Sequence, residues 1–168
     1  MKFLLATVLA LSLLGCATSP EFQAQDTVAK SVTLTAVSAQ TYLSDTTVRY
    51  WSRPHGTQIE FLAGNSKSYL WYPGNKVVVA GEWKVEDAGR WRQICFRYGP
   101  NTYNPSTHER GDDWNCEDVY YYMLLRLQMV KGDPVKLAGG RVPFLIPNRD
   151  SVSLASLAEQ ASISPTAL

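Results

Sequence analysis

From Thr47 onward the chain repeats one signature: a short run of alternating apolar and polar residues, then a polar, Gly or Pro break. Thr47–Trp51 alternates and is stopped by Pro54-His55-Gly56, and Gln58–Leu62 alternates again up to Gly64-Asn65. Ser68–Tyr72 is aromatic on both faces and ends at Pro73-Gly74-Asn75, a strong turn signal. Lys76–Ala80 leads through Gly81 into Glu82–Val85, where a glycine inside a strand pattern predicts a bulge or a close backbone approach. After a polar turn, Arg90–Tyr98 puts Trp91, Gln93, Cys95 and Arg97 on one face and Arg92, Ile94, Phe96 and Tyr98 on the other.

Beyond a long polar loop, 99–115, the run from Cys116 to Val130 alternates at period two. Despite its helix-favouring Met, Leu and Arg, it reads as one strand. Short strands around Lys136 and over Val142–Ile146 follow, Pro143 marking an edge. Ahead of all these, Leu34, Val37 and Leu43 are spaced for a short amphipathic helix. The pattern predicts a mainly β protein. It is a single antiparallel β-barrel or sandwich of about seven or eight strands with a short N-terminal helix. That domain occupies 33–146, and 147–168 is a small, polar, low-complexity tail, a frayed helix or disorder.

The first residues change the picture. One Lys precedes an apolar run, and 1–16 ends Leu13-Leu14-Gly15-Cys16, which resembles a bacterial lipobox closing a signal peptide. The favoured reading is lipidation of Cys16, with 17–32 as a tether, and an anchor that holds the domain to the membrane without spanning it. Ordinary cleavage after Ala17 is the rival. Ala17 after the cysteine points to the periplasmic side of the outer membrane, so the expected location is the bacterial cell envelope.

Charge is nearly balanced, with 16 Lys and Arg against 15 Asp and Glu, so no field steers the chain toward nucleic acid. An export signal with two further cysteines predicts a disulfide, Cys95–Cys116, tying off the ends of the 99–115 loop. With only two histidines, His55 and His108, a Cys/His metal site is not expected, and no cofactor motif is present. His108, Glu109, Asp112 and Asp113 form the nearest approach to an acid/base cluster, but neighbouring carboxylates on a loop read first as solvated charge.

Trp51, Trp71 and Tyr72 lie near turns and are candidate ligand-binding aromatics, with core filling as the alternative. His108 and Arg110 are the corresponding candidates on the loop.

Gly81-x-Trp83, Ile94-Cys95-Phe96, Cys116 and the upstream Thr47-Val48 resemble a family of small secreted bacterial proteins catalogued as a domain of unknown function, over roughly residues 33–125. The resemblance implies a secreted β domain with a disulfide and no particular activity. The functional expectation is an envelope lipoprotein acting as a non-enzymatic binding or structural module, with an envelope protein or a small apolar or glycan ligand as partner. Three sharper forms remain open: a carrier of small apolar ligands, an inhibitor of a lysozyme-type hydrolase using the 99–115 loop, and an envelope glycan-acting enzyme. The enzyme would need His108, Glu109 or Asp113 to converge with a strand carboxylate such as Glu60 or Glu117.

Overall fold

A computed structural model describes residues 33–104, 106–147 and 150–163. The expected signal segment, Cys16 and the tether lie outside the described residues. Helix α1 (Ala36–Leu43) is followed by strands β1 (Thr46–Ser52), β2 (Gly56–Leu62), β3 (Lys67–Trp71), β4 (Val79–Ala88), β5 (Trp91–Arg97) and β6 (Asn115–Asp118). Then come helix α2 (Val119–Leu125), β7 (Arg126–Lys131), a 3-10 turn at Leu137–Gly139 and helix α3 (Leu154–Gln160). The seven strands form one curled, antiparallel half-barrel sheet in the order β6-β5-β4-β3-β2-β1-β7. The expected mainly β architecture is present.

Six strands follow one another as a meander, and the seventh crosses to the opposite edge. The crossing is short. Laid flat, seven strands spaced about 4.8 Å apart would hold the outer two roughly 29 Å from each other. The seven residues of α2 that join β6 to β7 span only about 10 Å. The sheet must therefore curl until its two edges approach, and one inward residue from every strand, from Tyr50 on β1 to Arg126 on β7, lines a single cavity.

Each face of the curled sheet has its own core. On the concave side Ala39 and Leu43 of α1 and Val119, Tyr122 and Met123 of α2 pack against Val48, Leu62, Trp83, Ile94 and Phe96. The wholly buried Trp83 donates its indole N–H to the Ala63 carbonyl at 3.0 Å. Gly81 allows a close approach, as its position predicts: a Cβ there would lie 2.7 Å from both the Arg97 carbonyl and the Tyr98 ring. On the convex side Ile59, Phe61 and Trp71 are covered by Val135, Leu137, Ile146, Leu154 and Leu157.

The structure corrects several expectations. The run from Cys116 to Val130 is not one strand, because Asp118 caps Tyr120 N at 2.7 Å and starts α2. Val119, Tyr122 and Met123 then recur at helical spacing and reach the core together. Helix-favouring side chains with a cap prevailed over the period-two pattern. In α1, opened by a Thr35–Ser38 capping box, Val37 is 78% exposed, and Ala36, Ala39 and Leu43 form the buried stripe instead. No strand forms at Lys136 or over 142–146. The Asp133 carboxylate accepts from Leu137 N and Ala138 N, both at 2.8 Å, and turns the chain into the 3-10 helix, leaving one isolated bridge between Val77 and Arg141.

Within 147–168, the described residues 150–163 hold α3, capped by Ser153 and buried through Leu154, Leu157 and Ala158. Side chains of the sheet hold this segment in place. Arg49 donates to the Val152 carbonyl and to Ser151 Oγ, Thr57 Oγ1 donates to the Asp150 carbonyl at 2.6 Å, and Gln128 Oε1 accepts from Leu154 N at 2.7 Å. Replacing the fully buried Leu157 by Ala is expected to lower unfolding free energy by about 2–4 kcal/mol. Urea titration followed by circular dichroism checks this, and a loss below about 0.5 kcal/mol would mean that α3 does not seal the convex core.

Candidate functional site

The concave face beyond the α1–α2 plug carries a half-open cavity of about 1070 Å³. Its chemistry follows from strand alternation. In β2, Ile59 and Phe61 take the convex core, so Gln58 and Glu60 face inward. Inward placement buries the Glu60 carboxyl, which is only 6% exposed. Tyr98, immediately after β5, donates its hydroxyl to Glu60 Oε1 at 2.6 Å.

Arg126, the first residue of β7, brings a cation to the same place. Its Nη2 donates to Glu117 Oε1 at 3.2 Å, a contact that runs between the two edge strands of the sheet. The guanidinium lies 3.7 Å from the Tyr122 ring centre and 4.6 Å from that of Tyr50. Side-chain exposure is 9% for Arg126 and 40% for Glu117, so the pair is sheltered on one side only.

These neighbours shift one another's protonation. Burial pushes Glu60 from an ordinary 4.5 up to about 7, against the Tyr98 hydrogen bond and the Arg126 charge, which both pull it down. Burial, followed by the Glu60 charge and hydrogen bond, raises Tyr98 well above the usual phenol range. Tyr122 is raised too, chiefly by burial. For Arg126, burial pulls downward, but Tyr122, Glu117 and Glu60 hold it above its ordinary value, so it stays charged.

At another part of the cavity wall, His55 Nδ1 and the Tyr72 hydroxyl are hydrogen bonded at 2.9 Å. Burial lowers His55, which favours the uncharged imidazole. Burial also raises Tyr72, opposed by a hydrogen bond with Ser106. Ser106 belongs to the loop after β5, whose described residues form a flap along one side of the cavity. Tyr98 N and Gly99 N both donate to the Gly111 carbonyl, at 2.7 and 2.9 Å, and Asn104 N donates to the Glu109 carbonyl at 2.9 Å. A Cβ on Gly111 would sit 1.7 Å from Thr102 Oγ1, so the flap closes on itself only with glycine there. The Cys95–Cys116 disulfide, between residues paired on β5 and β6, fastens the flap's base.

The candidates named from the sequence separate cleanly. Tyr72 and Arg110 line the cavity. Trp71 does not: it is wholly buried in the convex core and donates its indole N–H to the Phe144 carbonyl at 3.1 Å. The third residue of the group, Trp51, is half-buried on β1 and stands outside the cavity wall. His108 is exposed, bonded to the Tyr103 hydroxyl at 2.7 Å, and also stands outside. Of the acidic loop residues only Glu109 reaches the cavity, where it joins Glu60 and Glu117. Sequence reasoning missed Tyr50, Tyr98 and Arg126. The available signal was charge at an inward position, in Ile59-Glu60-Phe61 and Leu125-Arg126-Leu127.

No known protein family, curated protein or solved structure matches the chain.

The raised Glu60 makes a prediction with a definite sign. Between about 4.5 and 7 the folded protein keeps a proton that the unfolded chain has released, so stability falls as pH rises through that window and levels off above it. Glu60→Gln removes this dependence. The variant should gain on wild type by up to roughly 3 kcal/mol between pH 5 and pH 8. Urea unfolding at both pH values tests it, and a constant difference would contradict the assignment.

Proposed function

We propose that the protein is a binding module that holds a small ligand inside the half-barrel and is displayed at the bacterial cell envelope by a lipid on Cys16. The observation that carries the binding half is the buried Glu60–Tyr98–Arg126 cluster in the wall of a cavity of about 1070 Å³. Burying a carboxyl and a guanidinium weakens a fold relative to apolar filling, and a scaffold alone has no need of them. A guanidinium has five donors, and the bond to Glu117 leaves capacity for a ligand. The cavity size falls at the upper end of small-molecule sites, roughly 300–1,000 Å³.

The envelope half rests on the sequence: the apolar leader and Leu13-Leu14-Gly15-Cys16. No helix among the described residues is long and apolar enough to cross a membrane.

One observation favours a second reading, an enzyme acting on envelope glycans. Glu109, Glu60 and Glu117 share the cavity, and a Glu60 that is part-protonated near neutral pH suits a general acid. That described loop residues line the cavity supports a flap beside a ligand more than a projecting inhibitory wedge.

Mass spectrometry of protein purified from bacterial membranes tests both halves. The expected result is a diacyl or triacyl mass on a chain starting at Cys16, with a small molecule retained under native conditions and released on unfolding. A soluble chain beginning after Ala17 would remove the anchor. Protein that carries nothing and takes up nothing from an envelope extract would remove the binding role.

A further inference from the structure

Resting on the binding reading, we infer that the ligand is a neutral, hydroxyl-rich molecule, a short oligosaccharide, held between the Glu60–Arg126 wall and the flap. The inference comes from what the lining can and cannot satisfy. Besides tyrosines and His55, the titratable side chains among its described lining residues are three glutamates, Glu60, Glu109 and Glu117, and two arginines, Arg110 and Arg126, with no lysine or aspartate among them. With Glu60 protonated these charges cancel, and with Glu60 ionised they leave a single negative charge. Neither state offers the net field that an anionic or a cationic ligand would use.

An apolar ligand fits no better. Val48, Leu70, Val79 and Phe96 give the wall apolar patches, but filling the cavity with hydrocarbon would strip water from the part-exposed Glu117 and the exposed Glu109 and Arg110 without replacing the hydrogen bonds lost. Gln58 and the flap residues Asn101, Thr102, Asn104 and Thr107 add further donors and acceptors around the same space.

A sugar answers both requirements. Each hydroxyl is donor and acceptor at once, so vicinal pairs can bridge a carboxylate and a guanidinium placed on one wall. The ring's C–H faces need flat apolar surfaces, and Tyr50, Tyr72 and Tyr103 supply aromatic rings around the cavity. A volume near 1070 Å³ has room for more than one ring.

The test is calorimetric titration of the full domain with a panel of neutral tri- and tetrasaccharides: β-1,4-linked N-acetylglucosamine, β-1,4-linked glucose and α-1,4-linked glucose. Oleate and citrate serve as apolar and anionic comparisons. The variants are Glu60→Gln, and Glu109→Gln on the exposed flap, where the fold is not at stake. At least one saccharide should bind, with affinity reduced fivefold or more by each variant, and the partition should hold whether the sugar stays intact or is cleaved.

Binding of oleate or citrate alone, weakened by the same variants, would overturn the sugar assignment while leaving the binding role in place. Saccharide binding indifferent to both variants would place the ligand elsewhere and also overturn it. Absence of heat with every probe at millimolar concentration would remove the sugar assignment, and an envelope extract that likewise leaves the cavity empty would remove the binding role with it.

Discussion

The shape of this protein depends on the shortness of one connection. Seven helical residues carry the chain from one edge of a seven-stranded sheet to the other, and no flat or gently twisted sheet allows that. Curling is enforced by chain length, and the cavity is its by-product. The same connection fixes what stands at the join. Glu117 is the third residue of β6 and Arg126 the first of β7, so the ion pair forms where the edges come closest. Val119, Tyr122 and Met123, on the face of α2 turned inward, plug the space that the curl would otherwise leave open.

Within that frame the concave face divides its labour. The part nearest α1 and α2 is filled by aliphatic and aromatic side chains and stabilises the fold by ordinary burial. The rest is lined by groups that compete for hydrogen bonds in a sheltered place. Glu60 resists ionisation there, Arg126 keeps its charge by leaning on two tyrosine rings and a carboxylate, and Tyr98 donates a hydrogen bond to Glu60 while keeping its proton. Each of these groups has a partner within the protein, and the cluster stands where a ligand in the cavity would meet it. The described residues of the flap, fastened by hydrogen bonds to Gly111 and by the disulfide, form one side of the cavity.

Much of the sheet was legible in the sequence because each strand up to Tyr98 is bounded by turn residues and alternates on its own terms. The disulfide was legible from cysteine count and the leader. The crossover was not, because Cys116–Val130 satisfies a period of two and a period of 3.6 together, and only the cap at Asp118 and the common burial of Tyr122 and Met123 decide between them. The tail was misleading for a related reason: α3 is short and weakly apolar, and its place is set by Arg49, Thr57 and Gln128 far away in the chain. Tyr72 and Arg110 stand in the cavity wall, while Trp71 went to the core because a large ring next to a turn can face either side of a strand. Glu60 and Arg126 were hard to weigh because a charged residue inside an apolar run usually faces solvent, and here the solvent side is the inside of a half-barrel.

The pairing of β1 with β7 joins Thr46 to Lys131, and the segment beyond Asp150 is then laid over the outside of both. The first strand made is thus the last to acquire its second neighbour. A copy ending prematurely anywhere before β7 would keep a bare strand edge on β1 and an uncovered Ile59, Phe61 and Trp71, the features by which proteases and chaperones recognise unfinished molecules. A chain carried through β7 and α3 pairs that edge of β1 and covers that apolar surface in the same stroke.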